Sequence, residues 1–413
     1  MIGACGFATW RAIRTAQADW AASTGTLQGY QQALRIAPSD PDLLARAAIF
    51  RSDNDDEAAS VDNDLRRATQ LNPVNSTVLM TLGLREELAG DRAKAEADLV
   101  RAAAVDHQFK PAWTLANFYF RADQPEKSWA MLRQTLQLNP LGFDPTPVFQ
   151  LCWQEAGQEG TDDSAAAPSD AAKIAAVIPS GTMSIQYLAF LMRTHRTEAA
   201  LAAWPRALAA PEASASPAPA AVTAFPDFLA AAGRVPEAIK TWNELVERGI
   251  IHSGHLEPAR GASIANPDFR YPLESHVFGW RLTDVPGVFA SVAPGSLDLE
   301  ISGDEPMAFQ LLTTNAPLRP ATRYRLVWKV DASSLNSPRD LGFAFQIVEQ
   351  DKAATACPPL LSTSPPACEF TVKDPNKGGN ALAAINLGYT RAQGTVRVSG
   401  TLHLLSVRLE LVQ

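Results

Sequence analysis

The sequence contains few cysteines and histidines and no long apolar run. Among its 413 residues are four cysteines and six histidines, too few for a scaffold built mainly from disulfides, and the histidines form no zinc-ligand pattern. No run of roughly 18 apolar residues, the length that spans a bilayer, occurs in it. A phosphate-binding Gly-rich loop, a nucleophile elbow and a two-histidine metalloprotease helix are also absent. These absences predict a protein that is not an enzyme and that holds no metal or cofactor.

An excess of positive charge is absent as well. The chain carries 36 Lys and Arg against 44 Asp and Glu, a formal net charge of -8. Proteins that bind nucleic acids hold the phosphate backbone with clustered basic residues, and no basic run with interleaved aromatics occurs here. We therefore expect no nucleic-acid partner.

The chain is longer than one hydrophobic core usually supports, and its first part is built from a repeat. Residues 34–38, 68–73 and 136–140 share a helix-ending phrase that closes on Pro. The first two of these prolines lie 35 residues apart, and the next follows after 67 residues, which divides into units of 34 and 33. A fixed period of this length predicts stacked helical hairpins.

The unit from residue 76 to 107 shows the pattern within one repeat. Small residues, Gly83 and Ala95, stand where the paired helices touch, and Leu82 and Leu99 fill the space between units. This pattern resembles the tetratricopeptide family, clearly over residues of about 24–140. Degenerate copies follow over 141–250, around residues 195–200 and 233–238, with loops at about 157–170 and 211–220. The resemblance implies a superhelical, all-α solenoid over residues 1–255.

A solenoid of this family has a groove lined by the first helices of its hairpins, which implies a protein partner. Arg85, Asn117 and Arg121 are the candidates for gripping a peptide, since amide and guanidinium groups bind backbone and carboxylate oxygens. Asn117 and Arg121 lie four residues apart, on one face of a helix. The alternative is that these are ordinary solvated side chains.

From Asn266 onward the hydrophobic period changes from helical to alternating. Residues 297–301, 324–330 and 343–347 alternate apolar and polar side chains, as half-buried strands do. Further segments of this kind occur at 369–372, 381–387, 394–398 and 403–412. Roughly eight strands with turn residues between them predict an antiparallel β-sandwich, a jelly roll, over residues 262–413, with the last strand beside an early one. The fold class expected for the whole chain is thus multidomain α + β.

The start of this second part is similar to galactose-binding-like carbohydrate-binding modules. The likeness rests on residues 266–269, Asn-Pro-Asp-Phe, and 279–282, Gly-Trp-Arg-Leu. Such modules usually have an acidic residue where this chain has Arg270, so we assign no calcium site. A sugar would need flat aromatic rings and polar groups for its hydroxyls. The candidates are Trp280, Trp328 and Tyr389 for the rings and Gln310, Gln346 and Asn386 for the hydroxyls, and the alternative is that the two tryptophans fill the core.

Two further features bear on the compartment. Cys357 and Cys368 bracket a Pro-rich loop, and a disulfide between them would indicate export, because disulfides persist mainly outside the cytoplasm; two unrelated thiols are the alternative. Residues 2–5, Ile-Gly-Ala-Cys, fit the shape of a bacterial lipoprotein cleavage box. We expect a cell-envelope location, either periplasmic or membrane-anchored through a segment upstream of Met1, with a cytoplasmic location as the alternative.

The combination of a helical solenoid and a terminal sandwich also resembles bacterial repeat proteins that are encoded beside polysaccharide polymerases and exporters. This resemblance implies a non-catalytic envelope scaffold in exopolysaccharide or O-antigen assembly. The solenoid would dock a protein partner, such as membrane polysaccharide machinery, and the sandwich would contact glycan. The alternatives are a pure protein-interaction scaffold without glycan binding and an uncharacterised enzyme that acts on polysaccharide.

Overall fold

The computed structural model describes residues 2–53, 58–138, 142–157, 168–338, 341–349, 354–362, 366–372 and 381–412. Residues 158–167, most of the loop predicted at 157–170, lie outside these ranges. The chain forms two compact units, Met1–Pro179 and Ser180–Gln413. This division at residues 179 and 180 does not test the domains predicted from the sequence, 1–255 and 262–413. Those bounds therefore stay a prediction. Among the described residues no helix is both long and apolar enough to cross a membrane.

The described part of the first unit consists of helical hairpins. Helices pair with their sequence neighbours, α1 with α2, α3 with α4, α5 with α6 and α7 with α8. Their bounds are α1 Ile2–Ala22, α2 Leu27–Ile36, α3 Pro41–Asp53, α4 Ala58–Leu71, α5 Ser76–Leu88, α6 Arg92–Val105, α7 Phe109–Arg121, α8 Pro125–Gln137, α9 Thr146–Glu155 and α10 Pro168–Val177.

The α5–α6 hairpin shows why this sequence folds as it does. Asn75 and Asp91 cap the two helices, since their side chains accept hydrogen bonds from the backbone N–H groups of Val78 and Lys94. A Cβ atom at Gly83 would lie 2.7 Å from Leu99 Cγ, closer than carbon atoms pack. Glycine at this position therefore lets the two helices approach, as the repeat pattern predicts.

The second unit begins with helices and continues into strands. Its helices are α11 Thr182–Arg193, α12 Thr197–Leu208, α13 Ala220–Thr223, α14 Phe225–Ala231 and α15 Val235–Glu247. The pairs α11–α12 and α14–α15 are hairpins at the two predicted degenerate copies. Their turns use positive φ angles, 55° at His195 and 74° at Gly233. The loop predicted at 211–220 contains a short 3-10 turn, Pro211–Ser214, before α13.

Ten strands form two five-stranded antiparallel sheets in the described part of the second unit. One sheet has the order β1-β4-β9-β6-β7, and the other has the order β2-β3-β10-β5-β8, so the last strand lies beside an early one, as predicted. The strands are β1 Arg281–Leu282, β2 Val288–Ala293, β3 Ser296–Ile301, β4 Ala308–Leu318, β5 Arg323–Leu335, β6 Phe343–Glu349, β7 Thr355–Pro359, β8 Ala367–Thr371, β9 Ala381–Thr390 and β10 Gly400–Leu411.

The predicted fold class is confirmed, because helical hairpins come first and two antiparallel sheets follow. One predicted strand is wrong: residues 394–398 form a turn and an irregular segment, in which Gly394 has a φ of 85°. A positive φ angle is incompatible with an extended strand. Four observed strands, β1, β2, β4 and β7, were not predicted from the sequence.

Large aromatic side chains fill the space between the two sheets. Trp280, Trp328, Tyr324 and Phe343 are all fully buried there. The two indole N–H groups donate to backbone carbonyls, Trp280 to Asn266 O and Trp328 to Leu360 O, each at 3.0 Å. Because these buried donors have acceptors, the rings stabilise the core without leaving a polar group unpaired.

The segment that leads into the sandwich packs on the α14–α15 hairpin of the same unit. Trp242 of α15 is fully buried, its indole N–H donates to Gly254 O at 3.2 Å, and its ring lies edge-on to that of Phe278 at 5.6 Å. Asn243 exchanges two hydrogen bonds with the backbone of Leu256. These contacts make the last hairpin and the start of the sandwich a shared core.

A carboxylate joins α14 to the same segment. Asp227 Oδ1 accepts from the Val277 backbone N–H at 2.6 Å, and Asp227 Oδ2 lies 3.2 Å from His276 Nδ1. The hydrogen bond with Asp227 raises the pKa of His276 above its ordinary 6.5, against the opposing effect of burial. Folding therefore favours the protonated imidazole.

This raised pKa predicts a pH dependence of stability. The stabilisation from protonated His276 is fully present below about pH 6.5, the unfolded-state pKa, and is lost as the pH rises through the higher folded-state pKa. We expect the melting temperature of the wild-type chain to fall more steeply above pH 6.5 than that of His276→Gln. The measurement is a series of thermal melts between pH 5.5 and 8.5. His255→Gln, at an exposed position, is the matched control and should keep the wild-type slope; equal slopes for all three proteins would contradict the prediction.

Candidate functional site

The sandwich carries a groove on the outer face of the sheet that contains β4, β9 and β6. Its volume is about 900 Å³, within the range of sites that bind small molecules. Three amide side chains line it, Gln310 of β4, Asn386 of β9 and Gln346 of β6. We call this site the amide groove. The structure thus brings together the three polar residues that the sequence analysis proposed for sugar hydroxyls.

The groove is concave because its floor is made of small residues. Gly388 of β9 lies opposite Gln310 on one side and Ala344 of β6 on the other. A glycine next to an alanine leaves a depression in an otherwise pleated surface. A Cβ atom at Gly388 would meet its nearest neighbour, Phe309 O, at 3.5 Å, an ordinary contact. The backbone thus tolerates a side chain there, although any such side chain would fill the floor.

A β-bulge arranges the polar wall of the groove. The register of β4 against β9 shifts between Gln310 and Leu312, so that Leu311 is an extra residue on β4. Residues three apart on a regular strand point to opposite faces. The bulge instead places Gln310 and Thr313 on the same outer face, while Leu311 and Leu312 are both buried.

Gln310, Thr313 and Asn386 form one hydrogen-bond network across the two strands. Gln310 Nε2 donates to Thr313 Oγ1 and also to Asn386 Oδ1, the latter at 3.3 Å. The Thr313 hydroxyl donates to Asn386 Oδ1 at 3.0 Å. Thr313 was not among the residues proposed from the sequence, because simple alternation places it on the opposite face from Gln310.

No charged residue lines the amide groove within the described part of the chain. Its rim has hydroxyl groups, from Ser362, Thr390 and Thr395, and an aliphatic wall formed by Pro338 and Leu361. Burying an ion without a partner costs several kcal/mol. A lining of amides, hydroxyls and apolar carbon, which includes the side chain of Phe309, therefore suits an uncharged ligand.

The three aromatic residues proposed for stacking on a sugar are in the core instead. Trp280, Trp328 and Tyr389 are at most 1% exposed, so none of them has a ring face open to a ligand. Burial raises the pKa of Tyr389, and the neighbouring Glu305 carboxylate, which accepts from the Tyr389 hydroxyl at 3.2 Å, raises it further. The physical reason for the correction is that large aromatic rings stabilise a sandwich most when both sheets cover them.

A disulfide joins the two sheets at one edge of the groove. Cys357 of β7 is bonded to Cys368 of β8, with their Cα atoms 5.4 Å apart. β7 is the edge strand of the groove sheet, and β8 is the edge strand of the other sheet. Because Cys357 and Pro359 of β7 line the groove, the disulfide fixes the strand that forms its wall.

In the first unit, the residues proposed to grip a peptide all have partners within the chain. Arg121 forms a two-pronged ion pair with Glu87 of the preceding repeat, at 2.8 and 2.7 Å. Arg85 Nε donates to Asp62 at 2.6 Å, and the Asn117 side chain donates to Trp113 O at 2.8 Å on its own helix. Their role in peptide binding stays a prediction, and it would require the ligand to compete with these partners.

The described residues contain no group of three or more His, Cys, Asp or Glu side chains that could hold a metal ion. Acidic groups with raised pKa values do occur. Burial raises the pKa of Glu86 on α5, with the Asp98 charge as a second cause, and burial raises the pKa of Asp98 as well. This pair lies between the helices of one hairpin and does not line the amide groove.

Comparison with known proteins supports the repeat assignment at a coarse level. No family model matches the chain. Human interferon-induced protein with tetratricopeptide repeats 2 is 30% identical over 122 residues, which are 27% of this chain and 25% of that protein. The chain therefore spans about a quarter of the length of this curated relative.

Two solved structures illustrate the likeness to helical repeat proteins. YrrB, described as a tetratricopeptide protein with an unusual peptide-binding site, is 16% identical and covers 44% of this chain and 92% of its own, with a TM-score of 0.30. Pseudomonas aeruginosa pilF is 15% identical and covers 49% of this chain and 92% of its own, with a TM-score of 0.32. Similarities this low carry no argument about function. The repeat period and the helical hairpins are similar to those of tetratricopeptide repeats, and stacked hairpins of this kind form a scaffold suited to protein–protein interaction.

Proposed function

We propose that this chain is a non-catalytic binding protein whose amide groove holds an uncharged oligosaccharide and whose helical repeats dock a protein partner. The groove is the observation that carries the proposal. It is large enough for several sugar units, it is uncharged in its described lining, and it combines amide and hydroxyl groups with aliphatic surface.

The chemistry of the lining matches that of a neutral sugar. Sugar hydroxyls both donate and accept hydrogen bonds, as do the amides of Gln310, Gln346 and Asn386. The C–H faces of a pyranose ring are apolar and would lie on the Gly388 and Ala344 floor. The two aromatic residues of the lining, Phe309 and Tyr389, stack on each other, and Tyr389 is buried, so binding rests mainly on hydrogen bonds and shape.

The proposed setting is the bacterial cell envelope, in exopolysaccharide or O-antigen assembly, with membrane polysaccharide machinery as the protein partner. The disulfide between Cys357 and Cys368 supports an oxidising compartment. The helical repeats support a protein partner, because stacked hairpins create extended binding surfaces. In this arrangement the sandwich contacts glycan while the repeats hold the assembly protein.

Filling the floor of the groove tests the proposal. Gly388→Val places a branched side chain on the floor, where the backbone has room for it. We expect binding of neutral oligosaccharides to fall at least about tenfold, because the side chain occupies the space of a sugar ring and removes more than about 1.4 kcal/mol of binding free energy. The measurement is a glycan-array screen with the full chain, followed by calorimetry with the best neutral ligand.

Ala384→Val is the matched control, since Ala384 lies on the same outer face of β9 but outside the groove lining. It should bind as the parent does, and thermal melts should show both variants folded. If no neutral oligosaccharide binds the parent chain while a purified envelope protein does, the rival reading, a pure protein-interaction scaffold, replaces this proposal. Cleavage of an oligosaccharide during the same assays would support an enzyme instead.

A further inference from the structure

We infer that the amide groove selects sugars that carry an acetamido group, that is, N-acetylated amino sugars, over the corresponding sugars with a hydroxyl at that position. This inference rests on the proposed function and deepens it. The observation behind it is the hydrogen-bond network of Gln310, Thr313 and Asn386, which fixes the orientation of two amide side chains that line the groove.

The network sets the orientation of Asn386. Its Oδ1 accepts from the Thr313 hydroxyl at 3.0 Å and from Gln310 Nε2 at 3.3 Å. Both donors lie on β4, on the same side of the Asn386 side chain. The Nδ2 group is therefore directed away from β4, and no hydrogen bond within the described residues occupies it. Asn386 offers the ligand a donor.

The same network also sets the orientation of Gln310, which keeps a free acceptor where Asn386 keeps a free donor. Its Nε2 group has two N–H bonds, and these point to Thr313 Oγ1 and Asn386 Oδ1. The Oε1 atom is left as an acceptor on the far side of the amide. Gln310 is exposed, so this oxygen can reach a ligand in the groove.

A secondary amide matches this pair of groups better than a hydroxyl does. The free donor and the free acceptor stand at opposite ends of the Gln310–Asn386 pair, because Nε2 and Oδ1 meet in the middle. One hydroxyl oxygen cannot reach both ends. A trans acetamido group directs its N–H and its C=O in opposite directions, so the N–H can donate to Gln310 Oε1 while the C=O accepts from Asn386 Nδ2.

The floor of the groove provides room for the remaining part of the group. Gly388 lies opposite Gln310, and Ala344 lies beside Gly388 on the next strand. The acetamido methyl group would lie against this small apolar surface. The lining carries no charge in the described residues, which suits a neutral N-acetyl group and disfavours a free, protonated amine.

Matched pairs of neutral oligosaccharides test the inference. Tetrasaccharides of glucose and N-acetylglucosamine, of galactose and N-acetylgalactosamine, and of mannose and N-acetylmannosamine differ within each pair only in a hydroxyl or an acetamido group. We expect calorimetry with the full chain to show about tenfold tighter binding of the acetylated member of at least one pair, the value expected for two oriented hydrogen bonds.

Thr313→Val tests whether the hydrogen-bond network causes the preference for the acetylated sugar. Valine has the shape of threonine and suits a strand, but it neither donates to Asn386 nor accepts from Gln310, so both amides can rotate. We expect the preference for the acetylated member to fall to within about twofold, because the acetylated member loses its two oriented hydrogen bonds and therefore loses more affinity than the unacetylated member. Thr401→Val, the same change on the other sheet, should leave the preference intact. Gln310→Ala, which removes the acceptor, should also abolish it.

The possible results separate the inference from the proposed function. Equal binding within every pair would overturn the inference and leave a neutral-glycan groove. A preference that persists in Thr313→Val and in Gln310→Ala would overturn the role of the network. Failure of all neutral oligosaccharides to bind would overturn both, as would tighter binding of an uncharged blocked peptide than of every oligosaccharide, which would assign the groove to peptide amides.

Discussion

Replacing Trp242 with alanine is expected to lower the free energy of unfolding of the second unit by about 3–5 kcal/mol. Trp242 has no exposed surface, its indole N–H bonds to Gly254 O, and its ring packs edge-on against Phe278. The substitution removes the ring from between α15 and the segment that leads into the sandwich. It also leaves the Gly254 carbonyl without its donor. The measurement is urea denaturation of the full chain followed by near-ultraviolet circular dichroism.

Two further substitutions serve as comparisons for the destabilisation measured with Trp242→Ala. Trp242→Phe keeps an aromatic ring but loses the N–H group, so it should be less destabilising than alanine. Trp20→Ala removes a tryptophan that is 75% exposed, and surface changes of this kind usually cost under about 0.5 kcal/mol. A loss below about 1 kcal/mol for Trp242→Ala would show that the shared core between the hairpin and the sandwich contributes little.

Replacing both Cys357 and Cys368 with serine is expected to cost about 3 kcal/mol of unfolding free energy, the value typical for closing a loop of this length. The two cysteines are 11 residues apart in sequence and connect the edge strands of the two sheets. An edge strand has a paired neighbour on one side only. We therefore expect β7 and β8 to lose protection against hydrogen exchange before the central strands do, and oligosaccharide affinity to fall because β7 forms a wall of the amide groove.

Reduction of the wild-type chain provides the control for this prediction. Treatment with a thiol reductant should destabilise the wild type by the same amount and should leave the double serine variant unchanged. If the reduced and oxidised wild-type proteins unfold at the same urea concentration, the disulfide does not stabilise the sandwich. If the double serine variant has a lower free energy of unfolding than the reduced wild type, the new hydroxyl groups cause a packing defect.

The helical hairpins could be predicted because their determinants are local. Asn75 and Asp91 cap α5 and α6, Gly90 has a φ of 84° at the turn between them, and Gly83 makes room for Leu99. Each of these residues acts on neighbours within one repeat. A single sequence with a regular period therefore contains enough information to locate the helices and their pairing.

The strands were predictable only where side chains alternate strictly. β3 and β5 alternate, and both were predicted. β4 was missed because the extra residue Leu311 interrupts its alternation with two consecutive buried leucines. β7 ends in two prolines, residues that usually mark turns or edges rather than strands. β4 is defined by its hydrogen bonds to β9, which is distant in sequence, and β7 by its pairing with the preceding strand, β6.

At the candidate site, too, some features could be predicted from the sequence and others could not. Gln346 and Asn386 could be named from the sequence because polar residues on the predicted strands point away from a core, and Gln310 was named as well although the bounds of its strand, β4, were not predicted. The burial of Trp280 and Trp328 was the alternative left open by the sequence and is the one observed, whereas the burial of Tyr389 was not foreseen, since alternation tells which residues share a face and not which face the second sheet covers. The contribution of Thr313 was hidden for a related reason, because its face depends on the bulge.

The sequence by itself determined the helical period, the change to strand alternation near Asn266 and the presence of polar amide side chains among the strands of the second part. These are properties of short segments, and short-range sterics, capping and side-chain polarity decide them. Only the tertiary structure decided that the bulge at Leu311 brings Gln310 and Thr313 to one face, that Gly388 lies beside Ala344, and that Trp242 is shared between the last hairpin and the sandwich. Each of these depends on pairing between distant segments, whose register is set by the packing of the whole unit.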